Sequence, residues 1–203
     1  MQSLRPIQAP ARGSSSASTS KGRVWVLLSG GVDSAACTAF YVNQGFRVRC
    51  VHVSFGQAAA DLERMAAEQV ARHFGLPLKV LRWSGLTTFG EGETPGRNAF
   101  LHLGALLEIG ARSGLLASGI HAGTPYFDCS KGFVACLQAL LDGYYDGRML
   151  VAAPFLDWTK DQVFLFCRSE GVPVDLTYSC EAGRLPPCGS CLSCRDRRAL
   201  DAL

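Results

Sequence analysis

Val24-Trp25-Val26-Leu27-Leu28, followed at once by Ser29-Gly30-Gly31-Val32-Asp33-Ser34, is the stretch that decides the fold. The first five residues are apolar and partly β-branched, as a buried parallel strand is. The segment from Ala35 to Gln44 has helical character. A strand that turns through glycines into a helix start suits phosphate. Glycines let an anion approach the main chain, successive N–H groups form a nest, and the helix dipole favours negative charge. The chain has no Gly-x-x-x-x-Gly-Lys-Ser/Thr, so a Walker-type loop has no support.

The same alternation continues along the chain. Strands are expected at Val24–Leu28, Arg47–Val53, Leu78–Leu81, Leu115–Ser118 and Met149–Ala152. Helices are expected at Asp33–Gln44, Ala59–Phe74, Asn98–Ser113, Gly132–Leu141 and Lys160–Ser169. In Ala59–Phe74 the apolar residues Leu62, Met65, Ala66, Val70 and Phe74 recur at helical spacing. Gly45 and Gly75 stand where helices should end. Strand–helix alternation predicts an α/β fold, a Rossmann-like doubly wound parallel sheet with helices on both faces. Ligands in such sheets bind beyond the carboxyl ends of the strands. Ser29–Ser34, Ser54-Phe55-Gly56-Gln57 and Gly119–Asp128 are therefore expected to converge on one cleft.

Bulk composition narrows the class. With 203 residues, 48% of them hydrophobic, the chain is long enough for one domain with a substantial core. A formal net charge of +3 argues against a dedicated nucleic-acid binder, which would carry a concentrated basic stripe. No apolar run approaches a membrane span. Residues 1–22 are rich in Ser, Ala and Pro, lack acidic residues, and are set apart as a disordered tail rather than a secretory signal. Their Arg- and Ser-rich composition also resembles that of organelle transit peptides, the reading weighed against it. Residues 23–175 form the expected nucleotide domain and 176–203 a C-terminal extension.

That extension carries the second strong signal, Cys180-x7-Cys188-x2-Cys191-x2-Cys194. Four thiols this close can surround one Zn²⁺ tetrahedrally, with Gly189 and Ser193 allowing tight turns. Disulfides or unliganded thiols are the alternative, and reducing cytoplasmic conditions weigh against the first. Four thiolates leave no open position, so the zinc is expected to be structural. The remaining cysteines, Cys37, Cys50, Cys129, Cys136 and Cys167, share no spacing. Cys129 is weighed as a nucleophile against simple packing, and His121 as a functional residue against a satisfied loop histidine.

The hexapeptide Ser29–Ser34 resembles the pyrophosphate-gripping loop of the ATP pyrophosphatase (PP-loop) superfamily, whose members split ATP between its α- and β-phosphates. Further landmarks follow in order: Phe55-Gly56-Gln57, Pro95-Gly96-Arg97-Asn98, Ser118-Gly119-Ile120, Phe127-Asp128-Cys129, Pro154-Phe155-Leu156 with Lys160, and the four-cysteine tail ending in Arg195. From Lys21 onward this succession resembles the 7-cyano-7-deazaguanine synthase family. The resemblance implies an ATP-dependent ligase that adenylates a deazapurine carboxylate, 7-carboxy-7-deazaguanine, and converts it with ammonia through an amide to a nitrile. It implies ATP contacts at Ser29, Gly30, Gly31, Val32, Asp33, Ser34, Val53 and Gly119. Substrate contacts fall to Phe55, Gln57, Arg97, Asn98 and Asp128, and the catalytic set to Asp33, Ser34, Arg97 and Lys160. ATP, Mg²⁺ and Zn²⁺ are the implied cofactors, and a cytoplasmic homodimer without direct nucleic-acid contact the implied state.

Each role has a plainer counterpart. Arg97 and Lys160 suit phosphate but are also ordinary surface cations. Asp33 suits Mg²⁺ or a helix cap, and Asp128 suits the N–H edge of a guanine-type ring or a turn. Three stretches depart from the family pattern. The loop between Gly119 and Asp128 is about two residues shorter, Ala58-Ala59-Ala60 replaces basic or histidine residues, and Ser84–Thr94 is short. All lie on the substrate side. They raise an alternative in which the activated acyl group passes to another amine, such as a protein N-terminus in anti-phage defence. A non-catalytic nucleotide-binding scaffold is the second alternative.

Overall fold

The computed structural model describes residues 21–85, 94–121 and 123–202. Five parallel strands form one sheet: β1 (Lys21–Leu27), β2 (Phe46–Ser54), β3 (Leu78–Arg82), β4 (Gly114–Ala117) and β5 (Met149–Ala152). Their order is β3-β2-β1-β4-β5. The helices are α1 (Val32–Asn43), α2 (Ala60–His73), α3 (Arg97–Ile109), α4 (Lys131–Tyr145), α5 (Lys160–Ser169) and α6 (Leu192–Asp201).

Side chains alternate across each strand, and the two faces of the sheet bury different helices. Val24, Val26 and Leu28 pack with Ala35, Ala36 and Ala39 of α1, Ala67 and Val70 of α2, and Val163 and Phe164 of α5. Trp25 and Leu27 point the other way, onto Ala105 and Leu106 of α3 and Leu141 of α4. Small alanines on α1 bring that helix close to the sheet. Fully buried Phe155 and Phe164 fill the space beside it, each burial worth about 1.5–3 kcal/mol. The chain moves outward from β1 to β2 and β3, then returns to place β4 on the other side of β1. That reversal opens a crevice beyond the ends of β1 and β4, the switch point at which doubly wound sheets bind ligands.

All five expected strands and five expected helices are present; β5 and α5 match their expected spans and the others have shifted ends. β1 begins at Lys21, so Lys21 and Gly22, assigned above to the tail, belong to the sheet: Lys21 pairs with Phe46 ahead of a register shift. Residues 1–20 lie outside the described residues, as do 86–93 of the short Ser84–Thr94 stretch. α3 stops at Ile109, short of the expected Ser113, because left-handed Gly110 (φ +62°) turns the chain and donates its N–H to Leu106 O. α4 runs on to Tyr145 and is capped at its start by Ser130 Oγ, which accepts from Phe133 N. α5 matches its expected span, with a capping box between Thr159 and Gln162. α6 was not expected.

No helix among the described residues is long and apolar enough to cross a membrane.

The sheet also buries His52, which is 1% exposed; its Nδ1 meets Leu28 O at 3.0 Å and its Nε2 has no partner among the described residues. Burial holds His52, His102 and His121 below the ordinary histidine value of 6.5. Such groups bind a proton more readily in the unfolded chain, so their contribution is intact above 6.5 and is lost as pH falls toward their lowered values. Melting temperature is expected to drop between pH 6.5 and 5.5, and to drop less steeply in His52→Leu. Equal slopes for the two proteins would contradict the assignment to His52.

Candidate functional site

The loop between β1 and α1 is fixed by main-chain contacts. Gly30 has φ +98°, and a Cβ there would lie 2.3 Å from Glu63 O of α2. Its carbonyl accepts from Tyr178 N at 2.9 Å. Gly31 is the N-cap of α1 and makes no side-chain cap bond. Ser34 Oγ donates to Gly31 O at 2.9 Å and receives Ser29 Oγ at 3.0 Å. The serines thus brace the turn, while the start of α1 faces the crevice without a capping side chain, a geometry suited to an anion. Across the switch point, Gly119 presses on the same turn: a Cβ would lie 2.5 Å from Asp33 O.

Asp33 and Lys160 meet beside this helix start. Lys160 Nζ lies 2.7 Å from both carboxylate oxygens, with both side chains partly exposed. His121 Nε2 stands 3.8 Å from the same carboxylate, and its Nδ1 accepts from Gly123 N at 2.9 Å. Nδ1 is therefore unprotonated, and burial keeps the ring neutral.

A cavity of about 400 Å³ extends from this corner. Of the sequence-expected residues, Ser29, Gly31, Val32, Asp33, Ser34, Val53, Phe55, Gln57, Arg97, Asn98, Gly119 and Lys160 line it. Two do not. Gly30 faces Tyr178 and α2. Asp128 is 6% exposed, accepts from Asn98 N at 3.3 Å, and has its main-chain carbonyl bonded by Asn98 Nδ2 at 2.9 Å. It holds the start of α3, and with it Arg97, in place. Gln57 likewise bonds within the protein, to Phe55 N at 2.8 Å and Glu63 Oε2 at 2.7 Å. Arg97 makes no ion pair with a described residue. Cys129 lines the cavity, but burial raises its pKa, which disfavours the thiolate a nucleophile needs.

Several lining residues were not foreseen: Glu63, His102, Ser118, Tyr178, Glu181, Ser193 and Arg197. The last four belong to the C-terminal extension; Tyr178 lies two residues before the ligand candidate Cys180 and Glu181 directly after it. Glu181 Oε1 accepts from Ser193 Oγ at 2.7 Å, which joins the two halves of the extension. Arg197 Nη1 donates to Thr177 Oγ1 at 2.9 Å. Burial raises the Glu63 carboxyl, partly offset by its Gln57 bond.

Cys180, Cys188, Cys191 and Cys194 gather on one side of this wall, their sulfurs all within 4.8 Å of one another. Zn–S bonds of about 2.3 Å imply sulfur–sulfur edges of about 3.8 Å, and Cys188 Sγ and Cys194 Sγ are 3.8 Å apart. Main-chain N–H groups of Cys188, Cys191 and Cys194 point at the sulfurs of Cys180, Cys188 and Cys191 at 3.3–3.4 Å. These donors favour thiolates and bring Cys188 down to about 6. The donor set therefore fits one tetrahedral ion such as Zn²⁺.

Two outcomes follow. Purified protein is expected to carry one zinc per chain, and its cobalt form to show the strong visible bands of a tetrahedral thiolate site. Octahedral-type spectra or metal-free stable protein would contradict the four-sulfur site. Gly119→Ala is expected to lose about 1–3 kcal/mol in denaturant unfolding, because the main chain at Asp33 cannot move away. Unchanged stability would deny the close contact.

Comparison with known proteins identifies the family of the chain. The family model described as "Queuosine biosynthesis protein QueC" matches residues 23–94 and 92–201. The chain is 30% identical over 200 residues to a 7-cyano-7-deazaguanine synthase of Synechococcus sp. (strain CC9311), covering 84% of this chain and 88% of the relative. A protein of the same name from Persephonella marina is 32% identical over 201 residues, covering 85% and 88%. Among solved structures, the U34-tRNA thiolase NcsA from Methanococcus maripaludis is similar in fold, with a TM-score of 0.51 at 17% identity over 89% of this chain and 64% of that one. The uncapped start of α1, the cavity at the switch point and the four-cysteine wall thus stand in a chain that belongs to the QueC family.

Proposed function

We propose that this protein is an ATP-dependent synthase that converts 7-carboxy-7-deazaguanine to 7-cyano-7-deazaguanine, forming AMP and pyrophosphate. The observation that carries this reading is the single cavity in which the open start of α1, the Lys160–Asp33 pair and Arg97 face one another. The relatives named above supply the substrate class.

The chemistry requires two activations. A carboxylate oxygen attacks the α-phosphorus of ATP, the bond to the bridging oxygen breaks, and pyrophosphate leaves. Ammonia attacks the acyl adenylate and expels AMP, giving the amide and a proton. The amide oxygen then attacks a second ATP, pyrophosphate leaves again, and loss of AMP and a proton closes the nitrile. Carboxylate and amide oxygens are poor leaving groups, and adenylation replaces each with a good one.

The Ser29–Ser34 turn supports the pyrophosphate. N–H groups at the head of α1 and the helix dipole stabilise the charge that develops on it, and they need no rearrangement to do so. Lys160 adds a full positive charge on the same side. Incoming phosphate would compete with Asp33 for Lys160, and the Asp33 carboxylate would then be available to hold Mg²⁺, which would neutralise charge on the phosphates. The remaining ligands of that ion would be phosphate oxygens and water, as is usual for Mg²⁺. Arg97, free of ion pairs among the described residues, suits the substrate carboxylate or the α-phosphate, where its planar fork binds two oxygens at once. Val53 and Gly119 contribute main chain at the ATP side, and Phe55 offers a ring face to the deazapurine.

The test is incubation with Mg²⁺-ATP and the acid, with and without ammonium, followed by mass spectrometry. With ammonium, twice as much AMP as nitrile is expected. AMP with an adenylate or amide but no nitrile would move the reaction to transfer onto another amine, and absence of AMP would overturn the ligase reading. Lys160→Ala and Arg97→Ala are each expected to lower kcat/KM about 10²–10³-fold with the melting temperature little changed. Full activity in either variant would remove that residue from the site.

A further inference from the structure

His102 and Ser118 both line the cavity, yet neither has a role in the machinery above. They come from different elements. His102 lies in the second turn of α3, while Ser118 directly follows β4 and precedes Gly119. His102 is 1% exposed and Ser118 6%. The ring Nδ1 lies 2.6 Å from the main-chain oxygen of Asn98, and Nε2 lies 3.1 Å from Ser118 Oγ.

These contacts determine every proton in the pair. A carbonyl only accepts, so Nδ1 carries hydrogen and donates it to Asn98. Burial disfavours the doubly protonated ring, which leaves Nε2 bare. Nε2 must then accept the Ser118 hydroxyl hydrogen, the only one that side chain has. Ser118 Oγ retains lone pairs alone for anything inside the cavity. An unconstrained serine would rotate to suit a donor or an acceptor. Here the helix carbonyl, acting through the imidazole, removes that freedom.

We infer that Ser118 determines specificity as an obligate hydrogen-bond acceptor, selecting a ligand that presents N–H at this point of the cavity over an isostere that presents a carbonyl. His102 is the positioning residue that enforces it. The inference rests on the function proposed above, whose two ring systems carry the same chemistry: the amine of adenine in ATP and the amine-bearing edge of the deazaguanine acid. A polar site of this kind discriminates strongly, because the wrong ligand sets two acceptors against each other without water to separate them.

Calorimetric binding tests the inference and separates the two sources. The probes are α,β-methylene-ATP and its inosine counterpart, and the acid and a counterpart carrying a carbonyl in place of its 2-amino group. Ser118→Ala is expected to weaken one natural ligand about tenfold and leave the other unchanged, and the ligand that weakens identifies the source. His102→Phe keeps a ring against Phe133 but releases the hydroxyl hydrogen. It is expected to strengthen the carbonyl counterpart of that same ligand and shrink the selectivity about tenfold, an effect that a merely structural histidine would not produce. Ser118→Ala binding both ligands as the wild type does, at an unchanged melting temperature, would overturn the inference. So would wild-type selectivity in His102→Phe. Ser118→Ala removes one oxygen and keeps the test decisive if His102→Phe does not fold. Wild-type protein that bound neither natural ligand would overturn the proposed function as well, which distinguishes the two failures.

Discussion

Three main chains crowd together at the head of α1, and the absence of a side chain at two glycines is what allows it. At Gly30 the carbonyl of Glu63 occupies the place of a Cβ, and at Gly119 the main chain of Asp33 does. α2, β4 and the β1–α1 turn are thereby held in contact. With side chains at those positions the turn would be pushed away from the switch point. The start of α1 would then no longer face the residues brought by β4 and α5. The capping positions follow the same logic. The local serines bond within the turn, so the helix start stays available to an anion.

The C-terminal extension joins this crowded point directly. Tyr178 N bonds to Gly30 O, two residues before Cys180. Gly183 approaches the main chain of Ala58 as closely as Gly30 approaches α2. The four cysteines therefore do more than tie off a tail. An ion among them would fix Tyr178, Glu181 and Ser193 as one wall of the cavity, and its binding energy would be felt at the phosphate turn. Within the run Ala58-Ala59-Ala60, Gly183 packs on the main chain of Ala58 and Ala59, and Ala59 is buried beside it.

Much of this was legible in the residues. Strand order aside, every strand and the first five helices are visible as apolar runs, helical spacing and glycine stops, because those features reflect burial in the sheet and its two helical layers. The glycine turn Ser29–Ser34 and the cysteine cluster are visible because both place particular residue types at short, fixed spacing. α6 was hidden: Arg195, Asp196, Arg197 and Arg198 give it little apolar face, and only Cys194 and Leu200 are buried. The inner wall was hidden for another reason. Glu63, His102 and Ser118 sit inside ordinary helices or at a strand end, and only the folded chain reveals which of their neighbours face the crevice. Asp128 shows the converse. A turn aspartate beside a cleft suits a ligand, yet its carboxylate is taken by the first turn of α3, a partner thirty residues away that spacing does not disclose.

The central claim is that the cysteine-held extension and the phosphate turn act as one site. The direct measurement is calorimetric affinity for α,β-methylene-ATP in zinc-loaded protein and in protein stripped by a chelator, with circular dichroism confirming that the sheet persists. Coupling through Tyr178 and Gly30 predicts that stripping weakens the analogue at least about tenfold, the cost of losing a hydrogen-bonded brace. Equal affinity in the two forms would show that the extension stands apart from the phosphate turn, and would contradict the account.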